Sequence, residues 1–474
     1  MGEVSNITIP LKTEIWQEDV LNSRFNVCRD LYNAMLGDKL RALEKMKSQP
    51  EYLDADEVIK TVQECKDASE RKKLKEELGY KEAFETKRRL HMEYGFTDFG
   101  FRKNATNYRS IYADIIPTML MQLSIAVPMW SAFDKLLNGK GESFKRGFGD
   151  DSGKARTVHF KKRDGIRSLV TDGKSGIRVL DECDKTAKKL LAGHPYHIQV
   201  SSKKGKTLNI PLKFPKNNLF LQDMLGRDIK QVRIARKMVR GRYKYDLILC
   251  VDGKPAEKRD AKGNAKHIVK TAPLGIYIDT TSITIAENED KVETIKLSAG
   301  SSLEKYDEKI KEINRKLDAS RRATNPDNYN EDGTAKKGEG GEQPSEYTRL
   351  KWVYSNNYRK LRSQKFNIER VIAERRQMNA NTIVHEILAK GNNIVINDMS
   401  FAAISHKFGG KTISENAPSQ IVAKLTEVAE RSGGTVRKVK LRADSEDRKK
   451  EDYRKDFALT MLNICKNSGD AEKD

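Results

Sequence analysis

Few residues in this sequence combine the side-chain types and the spacing that catalysis or metal binding requires. His194 and His197 form an H-x-x-H pair without a third ligand nearby, so we expect a surface loop rather than a metal site. The five cysteines are scattered and contain no C-x-x-C pair, so neither a zinc ribbon nor a disulfide framework is indicated. The glycines of 139–154 lack the spacing of a phosphate-binding loop, and no Ser/His/Asp or Cys/His nucleophile arrangement stands out.

The abundant chemistry of the chain is cationic. Its 474 residues include 90 Lys and Arg against 68 Asp and Glu, for a formal net charge of +22. Such a surplus predicts a polyanionic partner, nucleic acid first and an anionic membrane second. No apolar run approaches the ~18–20 residues that span a bilayer, and the N-terminus does not resemble a secretory signal. We therefore expect a soluble protein of a reducing compartment.

The elements that must position these charges change along the chain. A short strand is predicted at 6–11, and a helical period then runs from about 18 to 137, with two helices at 106–122 and 123–137. Strand signals dominate from there to Val251, beginning at 157–162. The last two strands predict a basic hairpin that turns at Arg240–Gly241–Arg242, with one buried and one positive face.

The C-terminal part alternates strands with helices, which indicates an α/β sheet covered on both faces. A polar, Gly-rich loop is expected at 318–346, between the first two helices of this part. The predicted strands are 274–278, 282–286, 393–396 and 435–441, and the predicted helices are 303–322, 345–390, 415–431 and one from about 456.

In this order the features resemble a family, the transposon-encoded TnpB proteins and their relatives, the compact type V CRISPR effectors. The resemblance includes the opening strand, the helix motif RFNVCRDLYNAML, the junction AFDKLLNGKG–HFKK and the basic hairpin. It continues through GIYIDTTSITIA, SRRATNPDNYNEDG, IVINDMSF and the terminal RKDFALTMLNI. Each motif is weak by itself, and their order is what is specific.

The resemblance implies an α+β multidomain protein. It would have a strand-rich wedge with an OB-like barrel, an inserted helical recognition lobe, and a C-terminal RuvC domain with an RNase H-like α/β fold. We assign 1–13 to the wedge strand, 14–137 to the recognition lobe, 138–271 to the wedge β domain, and 272–474 to the RuvC-like domain with a helical insertion at about 303–392.

The implied partners are a guide RNA and a double-stranded DNA target, with no membrane, in a prokaryotic cytoplasm where DNA keeps the protein at the nucleoid. Base pairing would read the DNA sequence, and the protein would supply backbone contacts. The sequence leaves protein partners and self-association open.

Nucleases of this kind hold two Mg²⁺ ions about 3.5–4 Å apart with three carboxylates from separate segments. Tyr277 stands where the family has its first Asp, and Asn397 stands where it has its Glu. Only the third position, Asp456, is retained. One carboxylate cannot neutralise two divalent ions, so we expect no cleavage, no metal except at Asp456 if any, and no cofactor for binding.

An active nuclease remains an alternative, in which Asp279, Asp398 and Asp456 would hold Mg²⁺ for RNA-guided DNA cleavage. Asp279 lies two residues after Tyr277 on the same strand face, so it would need a register shift of two. Asp398 directly follows Asn397 and points to the opposite face. A basic RNA-binding protein without a guide is a second alternative, which explains the charge but not the order of the motifs.

Four groups of cations are expected to contact nucleic-acid backbones, with solubilising charge as the alternative for each. One group lies beside Phe160, one in the hairpin turn, one beside the polar loop, and one in a helix predicted at 351–376 that begins with Trp352, Tyr354 and Tyr358. Their members are Lys161, Lys162 and Arg163; Arg240, Arg242 and Lys244; Arg321 and Arg322; and Arg359, Arg362, Arg375 and Arg376.

Overall fold

The computed structural model divides into two compact units. The first comprises Met1–Lys237 and Tyr243–Ala256, and the second comprises Met238–Arg242 and Glu257–Asp474. None of the described helices is long and apolar enough to cross a membrane. The structure describes residues 3–65, 67–112, 115–138, 158–174, 176–181, 196–201, 207–215, 218–256, 258–259, 262, 264–297, 299–336, 350–401, 404, 410–441 and 452–470. His194 and the glycines of 139–154 lie outside these ranges.

Two antiparallel sheets belong to the first unit, apart from the tip of one hairpin. The larger sheet has the order β1-β7-β6-β2, and the smaller has the order β3-β4-β5. A bridge between Leu11 and Leu212 connects the ends of β1 and β5. The strands are β1 (Val4–Pro10), β2 (Ser168–Thr171), β3 (Ile177–Leu180), β4 (His197–Val200), β5 (Leu208–Pro211), β6 (Ile229–Val239) and β7 (Arg242–Asp252).

The hairpin predicted from the sequence is confirmed as β6 and β7. Its two-residue turn has positive φ at both positions, +50° at Arg240 and +80° at Gly241, as a type I′ turn requires. The strand predicted at 157–162 is wrong, because residues 158–162 have no regular structure. A side chain, that of Asn33, takes up the backbone hydrogen bonds of Lys161 there.

The helices of the first unit follow the predicted period most closely in α1, which buries Leu21, Phe25 and Leu31 on one face. The helix predicted at 106–122 is wrong, since that stretch is broken into short helices. Pro117 falls inside that stretch and is the extended N-cap residue of α7, because a proline interrupts a helix that would run through it. Further along, a π-helical turn, Gln122–Ala126, precedes Pro128. The helices are α1 (Ile15–Lys47), α2 (Pro50–Glu64), α3 (Ala68–Glu77), α4 (Tyr80–Glu93), α5 (Asp98–Asn107), α6 (Arg109–Tyr112), α7 (Thr118–Met121), α8 (Val127–Asn138) and α9 (Leu219–Leu225).

The second unit is built on a five-stranded mixed sheet in the order β10-β9-β8-β11-β12. The first three strands of this order pair antiparallel, whereas β8, β11 and β12 pair parallel. The strands are β8 (Pro273–Ile278), β9 (Ser282–Ala286), β10 (Val292–Lys296), β11 (Asn393–Asn397) and β12 (Thr435–Val439). The helices are α10 (Ala299–Thr324), α11 (Asn356–Leu388), α12 (Gly410–Asn416), α13 (Pro418–Arg431) and α14 (Tyr453–Asp470).

Helices cover both faces of this sheet, as the alternation of strands and helices predicts. One face forms an apolar cluster with residues of α11 and α13, and the other forms a cluster with residues of α14. Gly275 allows α14 to approach β8 closely, because a Cβ atom there would lie 2.0 Å from the Ala458 carbonyl oxygen.

The polar loop predicted at 318–346 is wrong in its first part. Residues up to Thr324 belong to α10, a 3₁₀ turn occupies Pro326–Asn328, and a bridge joins Tyr329 to Ala335. The helix predicted from 345 begins only at Asn356, because the Ser355 side chain accepts the Tyr358 N–H and caps it there.

Candidate functional site

Alternation along β8 decides which side chains face α14. The even-numbered residues of the strand enter the cluster with α11 and α13, whereas Tyr277 enters the cluster under α14. Asn397 has the same parity on β11 as Val395, which also faces α14. The two positions that the resemblance assigns to missing acids therefore share one face of the sheet.

The Tyr277 ring fills its position with aromatic contacts. Its side chain is 2% exposed, and its ring centroid lies 5.3 Å from that of Phe457 and 6.0 Å from that of Tyr453. The Tyr453 ring stands nearly perpendicular, at 82°. Such edge-to-face pairs stabilise a packed core, so this position contributes packing and no metal ligand charge.

The Asn397 amide both accepts from and donates to the backbone of β8. Its Oδ1 accepts the Ile278 N–H at 2.8 Å, and its Nδ2 donates to the Ile278 carbonyl oxygen at 2.9 Å. The parallel ladder between the two strands ends at the Ile276–Ile396 pair, and the side chain extends it by one step. An ionised carboxylate could not supply the donor that the Ile278 carbonyl accepts.

Asp279 is a structural residue of the turn between β8 and β9. Its Oδ1 accepts the backbone N–H groups of Thr281 and Ser282, each at 2.7 Å, and the Thr281 hydroxyl at 3.0 Å. Its Oδ2 accepts the Ser282 hydroxyl at 3.2 Å and Arg454 Nε at 2.7 Å. Burial by itself would raise the pKa of Asp279, but the Thr281 amide and the Arg454 guanidinium outweigh it and lower the pKa.

The remaining two candidate acids lie at the ends of their elements. Asp398 is half-buried just after β11, where its backbone N–H donates to the Val439 carbonyl oxygen at 2.7 Å. Asp456 is exposed in the first turn of α14. Within the described part of the chain, no three His, Cys, Asp or Glu residues are grouped so that they could hold a metal ion.

These donors do not fit two Mg²⁺ ions, which prefer uncommitted carboxylate oxygens and water. Around the positions in question the structure offers a phenol inside an apolar cluster and an amide bonded to the backbone. The carboxylate of Asp279 already accepts five hydrogen bonds. Its oxygens are therefore engaged by the turn and by Arg454 rather than left for a metal ion.

The motif RFNVCRDLYN positions the first cationic group. Asn33 accepts the Lys161 N–H at 2.8 Å and donates to the Lys161 carbonyl oxygen at 3.0 Å. The Lys161 ammonium lies 5.2 Å from the centroid of the Tyr32 ring. Lys161, Lys162 and Arg163 are all exposed, so the motif fixes their backbone while leaving their charges in solvent.

The cations of the hairpin tip are exposed as well. Arg240, Arg242 and Lys244 have no ion-pair partner among the residues that the structure describes. Carboxylates of the described residues therefore do not neutralise these three charges.

Sequence reasoning missed the buried Arg236. Its guanidinium carbon lies 4.2 Å from the Phe25 ring centroid and 4.7 Å from that of Tyr243. Its Nε donates to the Ile166 carbonyl oxygen and its Nη1 to Asn22 Oδ1, both at 3.1 Å. The alternation of buried and exposed residues along the strand could have indicated this burial, because Arg236 has the same parity as the buried residues of β6.

The helices α10 and α11 position the last two groups. Arg321 is half-buried and paired with Asp318 at 2.8 Å, whereas Arg322 is exposed. On α11, Arg359 and Arg362 are exposed. Arg376 is half-buried, and Arg375 lies on another face, with its guanidinium 5.1 Å from the Tyr306 ring centroid.

The surface loop predicted for the H-x-x-H pair is wrong for its second histidine. His197 is the first residue of β4, and its side chain is 3% exposed.

No family model and no curated protein matches the chain. Among solved structures it is similar to a Cas12f1–sgRNA–target DNA complex, at 9% identity and a TM-score of 0.38, over 98% of this chain and 99% of that chain. A CRISPR-Cas12f ternary complex is 12% identical, with a TM-score of 0.24, and the match covers 92% of this chain and 77% of that chain. A Cas12i1 R-loop complex before target DNA cleavage is 9% identical, with a TM-score of 0.27, and the match covers 89% of this chain and 57% of that chain. These three structures are complexes of Cas12f1, Cas12f and Cas12i1.

Proposed function

We propose that this protein binds a guide RNA and, through it, a complementary double-stranded DNA, which it holds without cutting. The order of the sequence motifs and the net charge of +22 support this function. The mixed sheet covered on both faces fits the RuvC/RNase H-like domain that the resemblance implies. The two antiparallel sheets joined at the Leu11–Leu212 bridge fit a wedge with an OB-like barrel.

One observation carries the absence of cleavage. The two positions where the family has acids are committed to other roles, Tyr277 to the packing of α14 and Asn397 to the backbone of Ile278. The protein would then act by occupancy, either by blocking transcription at its target or by recruiting a partner to it.

The test starts from the protein purified with its co-expressed RNA, which is sequenced. The complex is mixed with a duplex that matches the RNA or with a scrambled duplex, in Mg²⁺ or in EDTA. We expect binding to the matching duplex alone and no cleaved product in either buffer.

Two outcomes would replace this function by an alternative. Mg²⁺-dependent cleavage that Asp456→Ala abolishes, and that the neighbouring exposed control Asp452→Ala leaves intact, would establish an active nuclease. RNA binding without any preference for complementary DNA would instead establish an RNA-binding protein that uses no guide.

A further inference from the structure

A pair of stacked tyrosines stands at the start of α11, with Tyr354 just before the helix and Tyr358 in its first turn. The ring centroids of Tyr354 and Tyr358 are 4.6 Å apart, and the rings are inclined by only 26°. Tyr354 nevertheless remains 38% exposed. One face of its ring is covered by Tyr358, so the exposed surface lies on its edges and its other face.

The backbone holds Tyr354 in place from both sides. Asn325 Nδ2 donates to the Val353 carbonyl oxygen at 2.9 Å, and Asn325 Oδ1 accepts the Val353 N–H at 2.7 Å. On the other side, Ser355 caps α11. A backbone held in this way, with the ring stacked on Tyr358, leaves less conformational freedom to be lost when a ligand stacks on Tyr354.

Tyr358 also lines a cleft of about 410 Å³ between α10 and α11, which we name the cationic cleft. Its charged residues are three cations and one carboxylate, for a net charge of +2 (3 − 1). Its lining residues are Asn314, Arg315, Leu317, Asp318, Arg321, Tyr358 and Lys365.

The charges of the cationic cleft are incompletely neutralised. Asp318 pairs with Arg321 at 2.8 Å, and the partner of Lys365, Glu369, is 3.8 Å away. Arg315 has no ion pair among the described residues. The cleft therefore keeps positive charge available for an anion.

An exposed aromatic ring beside an incompletely neutralised cationic cleft matches the two parts of a nucleotide. We infer that this surface binds single-stranded nucleic acid, with one base stacked on Tyr354 and an adjacent phosphate in the cationic cleft. A base inside a duplex has both faces covered by its neighbours, so only an unpaired or terminal base can stack here. The site rests on the proposed nucleic-acid function but needs no guide.

The test uses the full-length chain freed of nucleic acid and fluorescent oligothymidylate, oligouridylate and a duplex, with affinity read by fluorescence anisotropy. We expect Tyr354→Leu to weaken both single strands about tenfold and to weaken the duplex, in which only the terminal bases can stack, far less. Tyr354→Phe keeps the aromatic face and retains affinity. Phe99→Leu, at an aromatic residue of α5 that is 75% exposed, serves as the matched control.

The charge of the cleft is tested with Arg315→Gln combined with Lys365→Gln. We expect a weaker salt dependence of single-strand binding, with a slope reduced by up to about 0.7 for each phosphate that the variant no longer binds. Thermal melts establish that each variant is folded.

An unchanged affinity of folded Tyr354→Leu, or an equal loss for duplex and single strands, overturns the stacking site. A stronger effect with oligouridylate points to the RNA as the natural ligand, and a stronger effect with oligothymidylate points to a displaced DNA strand. Absence of the Tyr354 effect alongside intact guide-dependent DNA binding overturns this site alone. The effect in a protein without guide-dependent binding overturns the proposed function alone.

Discussion

Two regions of the second unit use polar side chains in opposite ways. Under α14, the buried amide of Asn397 is bonded on both its oxygen and its nitrogen to the backbone of Ile278, and both carboxylate oxygens of Asp279 accept hydrogen bonds from the protein. Along α11, Arg359 and Arg362 are exposed and have no ion-pair partner among the described residues. The first region is closed to ligands, and the second is open to them.

The two regions differ in whether their side chains are suited to cleaving a phosphodiester or to binding it. Cleavage needs several carboxylates that together hold metal ions, and the described residues of the closed region offer no group of three such ligands. Binding needs cations that remain in solvent, and exposed charges contribute little to folding stability. Exposed cations and a packed sheet face are the combination that the proposed occupancy without cutting requires.

The largest effect is expected from placing a carboxylate in the closed region. Tyr277→Asp should lower the free energy of unfolding by about 4 kcal/mol, because it buries an unpaired charge and removes an aromatic ring from under α14. Chemical denaturation measures the loss. Tyr277→Phe, which keeps the ring, should cost about 1 kcal/mol or less. Equal stability of the Asp variant and the wild type would show that this face is not closed.

A somewhat smaller loss, about 2–3 kcal/mol at neutral pH, is expected for Asn397→Asp. The variant keeps the acceptor for the Ile278 N–H but sets a negative oxygen against the Ile278 carbonyl. The exposed Asn357→Asp, in the first turn of α11, is the control and should stay within about 0.5 kcal/mol.

The same variant predicts a pH dependence. Repulsion from the carbonyl raises the folded-state pKa of the introduced carboxyl above its unfolded value of about 3.9. Its protonated form can donate, so the deficit relative to wild type should be small below about pH 4 and should grow as pH rises through the folded-state pKa. A deficit that shrinks with rising pH would contradict the hydrogen-bond assignment.

The open region should respond in affinity rather than stability. Arg359→Gln with Arg362→Gln should weaken DNA binding about tenfold and reduce the salt slope by up to about 0.9 for each phosphate that the variant no longer binds. Lys424→Gln with Arg431→Gln removes the same charge from α13, where both residues pair with Glu427. If the two double variants behave alike, net charge rather than the α11 surface determines binding.

The smallest effect is expected from a pair of histidines, His267 and His385, the second of which lies in the last turn of α11. The rings of His267 and His385 are stacked 3.6 Å apart and nearly parallel, at 4°. Burial, and for His385 also the neighbouring His267, lowers both pKa values, and the ammonium of Lys258 adds to this. Histidines with lowered folded-state pKa values bind fewer protons folded than unfolded, so stability is complete above about pH 6.5 and is lost as pH falls.

We expect that loss to stay below about 1 kcal/mol at pH 5.5, since both rings are only half-buried. Urea denaturation at pH 7.5 and 5.5, compared between wild type and His267→Gln/His385→Gln, measures it. An equal loss in both proteins would assign the pH dependence to other groups.

Local signals in the sequence predict much of this fold. The type I′ turn at Arg240–Gly241 and the core strand β8 follow from short patterns of glycine, charge and apolar residues. The predicted start of α11 is too early. The prediction placed Trp352 and Tyr354 inside the helix, whereas the helix begins only after the Ser355 cap. The missed roles, such as the burial of Arg236, depend on partners distant in sequence.

The sequence by itself determined the net charge, the strand parity of Tyr277 and Asn397, and the lack of acids at those two positions. Only the tertiary structure decided what stands there instead. Three asparagines each donate to the carbonyl oxygen and accept the N–H of one residue distant in sequence. The pairs are Asn33 with Lys161, Asn325 with Val353 and Asn397 with Ile278. A side-chain amide can donate and accept at once in many settings, so its residue type leaves the partner undetermined. The partner is set by strand register and helix packing, which bring residues 128, 28 and 119 positions apart into contact.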